Sequence, residues 1–266
     1  MPLAAGYAKH SFQCSWASLT PKVKVLNIWS CKSFMSVSPA MQRYAAEIYR
    51  LQQDHKQVSL SLLSSHVESS AQAISTMVKR LNKNGYLVHE PYRGVRLTPE
   101  GEKIAMPSLR RHRLTEVFLV KVMGYDWASA HELSDVFEKG LNDEIEDRVF
   151  ELAGRPTRCP HGEPIPSKDG VMPEVRDMPL LEVPSGSDCI VSRVRTHDMD
   201  KLHYIGELGL VPGTPFHLFS CAPFKGPLRL QMKPQDHVIG YELAGSLWVE
   251  VTRRGAGNKL PPRKNV

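Results

Sequence analysis

The chain has 266 residues, 41% hydrophobic and 23% charged, proportions of one large or two modest globular domains rather than a fibrous or disordered protein. No run of about eighteen apolar residues occurs, so no membrane partner is expected. The formal charge of +6 is concentrated in residues 1–34 and 253–266, which hold nine basic residues and no acid, so the basic total alone is weak ground for a nucleic-acid partner.

Five scattered cysteines without a C-x-x-C pair suggest reduced thiols and a cytoplasmic setting. Residues 1–34 show no period and are expected to be disordered. They read as a transit-like segment or, preferably, as a mis-started extension ahead of Met35.

From Pro39 the pattern becomes helical. PAMQRYAAEIYRLQQ carries an apolar stripe, and VSLSLLSSHV and SAQAISTMVKRLNKNG follow as two more helices. YLVHEP and YRGVRLTP are extended pieces joined at a turn. Three helices and a two-stranded ribbon over residues 35–98 predict a winged helix-turn-helix that lays helix 70–83 in the major groove of double-stranded DNA. Ser70, Gln72, Ala73 and Thr76 occupy the turn that reaches base edges; Lys79, Arg80, Lys83, Arg93 and Arg96 suit phosphates.

Residues 99–153 predict two amphipathic stretches, SLRRHRLTEVFLVKVMG and SAHELSDVFEKGLNDEIEDRVFELAG, opened by a Thr98 cap before Pro99. Their apolar face (Leu114, Val117, Phe118, Leu133, Val136, Phe137, Leu141, Ile145, Val149) is too large to hide in so small a unit. A symmetric homodimer on a palindromic operator is therefore expected. Residues 154–178, rich in proline and glycine, read as a linker. From 179 to 252 short strands (LLEVPSG, DCIVSRV, TPFHLFSC, LRLQM, SLWVEV) and one helix, DMDKLHYIGEL, predict a small, partly open β-barrel. Residues 253–266 read as a disordered basic tail. The fold class is α+β. No phosphate-cradling glycine loop or nucleophile elbow appears, so no enzyme is expected.

One helical face draws attention. His131, Asp135 and Glu138 recur at steps of four and three in HELSDVFEK, beside Lys139, and His112 and Glu116 are i,i+4 on the preceding helix. Imidazole and carboxylate together suit Mn, Fe, Co, Ni or Zn.

These pieces, with YRGVRLTPEGEKIA, RRHRLTEVFL, DEIEDRVFEL and CPHGEPIP, resemble the metal-dependent transcriptional repressors typified by the diphtheria toxin repressor and the manganese transport regulator, over roughly residues 39 to 251. ELGLVPGT, APFKGPL and YELAGSLWVEV are similar to the SH3-like, ferrous-transport-accessory-like domain of such regulators. The resemblance implies a helical dimerisation domain and two metal sites per subunit, taking Mn or Fe, with Zn, Co or Ni possible. One site falls on His112, Glu116 and His131, with Asp198 as a further candidate and Lys201, at the other barrel position, a poor ligand. The second falls on Arg43, Asp135, Glu138 and Lys139, where two ligands have become cations; the extra glutamate of manganese-type members falls on Ala46.

Two outcomes stand open for that second site. Arg43 and Lys139 pair with Asp135 and Glu138, at about 4 Å an attraction of several kcal/mol partly offset by desolvation, or both cations point to solvent. Cys159 and His161 are assigned to a rigid linker turn and left out of the site. The functional expectation is a metal-responsive dimeric DNA-binding regulator, a repressor of metal-uptake genes. The alternative is a metal-independent DNA-binding or adaptor protein that has lost sensing.

Overall fold

The computed structural model describes residues 37–67, 69–196 and 198–255. The expectations for residues 1–34 and most of the basic tail lie outside them. No helix among the described residues is long and apolar enough to cross a membrane.

Helix α1 (Pro39–Gln52) starts where the Ser38 hydroxyl accepts from the Met41 amide at 3.4 Å and Pro39 takes the first turn, where its missing N–H costs nothing. Its buried stripe includes Tyr44, Ala45, Ile48 and Leu51. Helix α2 (Leu60–Val67) and helix α3 (Ala71–Lys83) complete a three-helix unit, α3 capped by the Ser70 hydroxyl at 3.2 Å from the Ala73 amide. Strands β1 (Leu87–Glu90) and β2 (Gly94–Leu97) pair antiparallel with Leu87 opposite Leu97, forming the wing. One continuous core joins α1, α2, α3 and the wing to the start of helix α4 (Pro99–Lys121).

The helical region departs from the expected two stretches. Helix α5 (Trp127–Phe137) stops at Phe137, and a 3-10 turn covers Glu138–Gly140. Leu141 is extended, and helix α6 (Asp143–Leu152) restarts on Asn142, whose side chain accepts from the Ile145 amide at 2.9 Å. The amphipathic period runs through this break, while the Asn142 cap competes locally for backbone groups. His131 and Asp135 therefore share a helix, but Glu138 belongs to the turn after it.

The carboxy-terminal region is a six-stranded antiparallel sheet of order β3-β8-β4-β5-β6-β7, from β3 (Met178–Pro179), β4 (Ser187–Val194), β5 (Pro215–Cys221), β6 (Leu228–Gln231), β7 (His237–Ile239) and β8 (Leu247–Arg253). No ladder joins β3 to β7 among the described residues, so the sheet of the expected partly open barrel is not closed by hydrogen bonds between its edges. LLEVPSG forms a 3-10 turn, Leu180–Glu182, followed by irregular turns, instead of a strand. Arg253, assigned to the tail, ends β8 and bonds Asp188 at 2.6 Å. Helix α7 (Met199–Glu207) and the short helix α8 (Tyr241–Ala244) close over one apolar core.

Residues 154–178 are not a loose tether. Arg113 donates to the Pro164 carbonyl at 2.5 Å and Arg110 to that of Pro166 at 2.8 Å, and Cys159 and Ile165 are buried beside Leu114 and Val149. Proline and glycine here fix one conformation, which composition alone does not distinguish from flexibility.

Candidate metal centre

Helix α4 organises the site. Arg110 and Arg113 face the chain between Glu163 and Pro166, and His112 and Glu116 face α5. Arg110 also forms a buried pair with Glu146 on α6, 2.6 Å apart. The arginines of RRHRLTE thus hold the loop containing CPHGEPIP, which gives the two motifs a shared physical purpose. The loop is gripped from its other side by β4: the Val194 amide donates to the His161 carbonyl at 2.9 Å, and Arg158 bonds both the Gly162 carbonyl and Ser192. Gly162 sits at φ +85, and a Cβ there would lie 2.0 Å from the Ser192 carbonyl oxygen. Only glycine allows this approach. Trp127, at the start of α5, stacks on the His161 ring at 5.1 Å between centroids. Its indole fits against α7 because Gly206 lacks the Cβ that would come within 2.8 Å of it.

The result is a buried carboxylate among imidazoles. Glu116 Oε1 lies 2.8 Å from His131 Nδ1, 3.3 Å from His112 Nε2 and 3.3 Å from His161 Nδ1. The His112 and His131 rings meet edge to face at 5.5 Å, so the two imidazoles expected from sequence do converge. Cys159 Sγ is 3.9 Å from His161 Nδ1. Three groups among the described residues could hold an ion: His112, Glu116 and His131; Glu116, Cys159 and His161, which shares the same glutamate; and His112, Asp135 and Glu138, which shares the same histidine. Cys159 and His161, left out on sequence, are therefore part of the centre. It adjoins a cavity of about 380 Å³ lined by residues including Tyr49, Arg50, Glu163 and Arg195.

Burial acts to raise the Glu116 pKa, but the charges of His161 and His112 and hydrogen bonds from His112 and His131 hold it well below the ordinary carboxylate range. Burial and Arg50 act to lower the His112 pKa, yet Glu116 and Asp135 push it up to about 10. Burial keeps the His131 pKa below its usual value despite Glu116. Burial, then the Glu116 charge, lifts the Cys159 thiol well above the usual range. The donors fit a borderline divalent ion: imidazole nitrogens, a carboxylate and a thiol that such an ion would deprotonate. A buried His161 Nε2 without a hydrogen-bond partner among the described residues is consistent with that fit.

The second expected site is arranged differently. Arg43 and Lys139 are exposed, and among the described residues neither forms an ion pair with Asp135 or Glu138. Those carboxylates face His112 Nδ1, at 3.1 Å and 3.4 Å. The cation whose charge acts on them from α1 is Arg50, two helical turns beyond Arg43, 17% exposed and paired with Glu47 at 3.0 Å. Seven residues return to nearly the same face of a helix but advance about 10 Å, so the expected residue had the right face and the wrong turn. Ala46 is buried in the helix core.

Asp198 is not brought to the centre. Its carboxylate caps α7, accepting from the Lys201 amide at 3.2 Å, while the Lys201 ammonium reaches Glu242 at 2.6 Å. Ser70, Gln72, Ala73, Thr76, Lys79, Arg80, Lys83, Arg93 and Arg96 are all exposed on α3 and the wing. Ser70 and Thr76 spend their hydroxyls within the helix, on the Ala73 amide and the Gln72 carbonyl.

A winged helix-turn-helix joined to a helical unit with a buried histidine–carboxylate–thiol cluster defines a class of DNA-binding regulators. Residues 36–95 match the iron dependent repressor N-terminal DNA binding domain, residues 98–167 the iron dependent repressor metal binding and dimerisation domain, and residues 178–251 the FeoA domain. The chain is 28% identical over 183 residues to the iron-dependent repressor IdeR of Mycobacterium leprae, covering 64% of this chain and 80% of that one. The diphtheria toxin repressor of Corynebacterium diphtheriae is 29% identical over 128 residues, 48% of this chain and 57% of its own. Among solved structures, a manganese-dependent transcriptional repressor in complex with manganese superposes with a TM-score of 0.73 at 28% identity, over 79% of this chain and 99% of that one. T. acidophilum IdeR gives 0.71 at 27% identity, over 81% and 99%. The chain belongs to the metal-dependent repressor family typified by the diphtheria toxin repressor.

Proposed function

We propose that this chain is a metal-responsive, homodimeric transcriptional repressor in the cytoplasm, which binds a palindromic operator and controls metal-uptake genes in response to Mn or Fe. The observation that carries this reading is the Glu116 carboxylate, with three imidazole nitrogens within 3.3 Å and Cys159 beside them. Glu116, His112, His131, His161 and Cys159 would hold the ion, a wider set than the sequence suggests and one without Asp198. A bound divalent ion supplies charge that ties these donors together. The protein's part is to connect them to DNA: His112 and Glu116 stand on the helix that packs along α1, and α1 supports the recognition helix α3.

Gln72, Ala73 and Thr76 would meet base edges; Lys79, Arg80, Lys83, Arg93 and Arg96 would meet phosphates, which give affinity without sequence choice. Two copies joined through the exposed apolar residues of α5 and α6 would present two such helices to a two-fold symmetric site. The alternative, a metal-independent regulator or adaptor, is not favoured by a cluster of five buried or half-buried metal-type donors. Gel-shift titration on palindromes upstream of metal-transport genes tests the proposal. Chelator should abolish the shift, Mn²⁺ or Fe²⁺ should restore it, and affinity should fall steeply with salt. An equal shift with and without metal, or none under any condition, overturns it.

A further inference from the structure

We propose that Cys159 is a thiolate ligand of the ion at Glu116 and sets the selectivity of the centre, which prefers Fe²⁺, Co²⁺ or Zn²⁺ to Mn²⁺. This rests on the metal-binding reading above and narrows which ion the centre takes.

Cys159 and His161 sit in one tight turn. The Cys159 amide donates to the Glu163 carbonyl and the Gly162 amide to the Cys159 carbonyl, each at 2.9 Å, so the backbone itself fixes where both side chains start. Their ligand atoms and that of Glu116 lie within 4.8 Å of one another. Sulfur bonds an ion such as Zn²⁺ at about 2.3 Å and nitrogen or oxygen at about 2.0–2.2 Å, so neighbouring donors of a tetrahedral ion stand roughly 3.4–3.6 Å apart. Cys159 Sγ is 3.9 Å from His161 Nδ1, and that nitrogen is 3.3 Å from Glu116 Oε1. Both separations already approach what one shared ion requires.

A buried cysteine commonly does no more than pack. Cys189 is of that kind: it sits in the apolar core of the sheet and belongs to no donor group among the described residues. Cys159 clusters with Leu114 and Val149, but its sulfur also meets an imidazole and a buried carboxylate. His161 is 5% exposed, and its Nε2 has no hydrogen-bond partner among the described residues, so that nitrogen does not tie the ring to another protein group.

Selectivity follows from the donors. Manganese(II) favours carboxylate, carbonyl and water oxygens, and it stands lowest of the divalent series at nitrogen and sulfur sites. Thiolate favours the softer ions most strongly. With Cys159 the centre presents three imidazoles, one carboxylate and one thiolate. Between Mn and Fe, that set favours Fe²⁺.

Titration of the full chain with Co²⁺, followed by absorption, tests the proposal, because a thiolate on Co²⁺ gives a near-ultraviolet charge-transfer band that oxygen and nitrogen ligands do not. The native chain should show the band and should bind Co²⁺ more tightly than Mn²⁺ in competition. Cys159→Ser should abolish the band and weaken Co²⁺ binding by about 10- to 100-fold, no less than losing an outer partner costs, while Mn²⁺ binding changes by much less. A chain carrying Cys14→Ser, Cys31→Ser and Cys221→Ser should keep the band, and this decides the matter where Cys159→Ser fails to fold. Co²⁺ bound without the band overturns the inference and leaves the metal-binding reading standing. So does a Cys159→Ser chain with an unchanged band or an unchanged ratio of Co²⁺ to Mn²⁺ affinity. A native chain that binds neither ion contradicts the metal-binding reading itself.

Discussion

Glu116 is 2% exposed, and its charge is tolerable only because three imidazoles surround it. His112, Glu116 and His131 were legible in the sequence because i,i+4 spacing and the opening of the next helix are local facts. Cys159 and His161 were not, since their approach to Glu116 depends on contacts with distant residues, Arg113 on one side and Ser192 on the other. Arg50 was missed because the sequence offered Arg43 on nearly the same helical face, and only packing decides which turn lines the cavity beside His112 and Glu116. A separate polar contact, His66 Nδ1 to Glu47 at 3.3 Å, joins α2 to α1. The hydrogen bond to Glu47 raises the His66 pKa, with burial and Arg50 acting against it. A raised folded pKa means stability that is complete below the unfolded value near 6.5 and lost as pH rises through the folded value. His66→Gln should therefore destabilise the fold at pH 5.5 by roughly 0.5–1 kcal/mol, read as a lower thermal midpoint, for a pair whose side chains are 26% and 12% exposed, and much less at pH 9; a pH-independent loss would show that packing, not charge, is at stake.

At the scale of elements, apolar periods located the helices well, and Thr98 caps where the sequence put it, while Ser38 and Ser70 cap α1 and α3 in the structure. The break after Phe137 escaped because the apolar stripe continues across it. The loop 154–178 shows the converse limit, since the proline and glycine content that looked like a tether builds a rigid turn. Gly162→Ala should test how much that turn matters. A side chain there meets both a left-handed backbone and the Ser192 carbonyl, for a cost of about 1–3 kcal/mol. Chemical denaturation should register this, and because the turn carries Cys159 and His161, Mn²⁺ affinity should fall at least about tenfold. Loss of stability with unchanged metal affinity would separate the turn from the site.

Taken as a whole molecule, the chain leaves an apolar surface on its helical unit. Leu114, Val117 and Val149 of the expected face are buried within the subunit, but Val136 is 69% exposed, and Leu133, Phe137, Ile145 and Leu152 are exposed with it. The sequence pattern named this face without dividing what the subunit hides from what it shows. A surface of this kind belongs against a second copy. Val136→Asp should shift the chain from dimer to monomer in sedimentation velocity and abolish the operator shift, since one winged helix grips only half a site; a dimer that persists would place the interface elsewhere.

Distant segments meet at one buried glutamate to hold a metal ion, and on this the account turns. Anomalous diffraction at the manganese edge from Mn²⁺-loaded crystals tests it most directly. The account predicts a peak in each subunit within bonding distance of Glu116, neighbouring His131 and His161. A peak between Asp135 and Glu138 with none at Glu116 would contradict it.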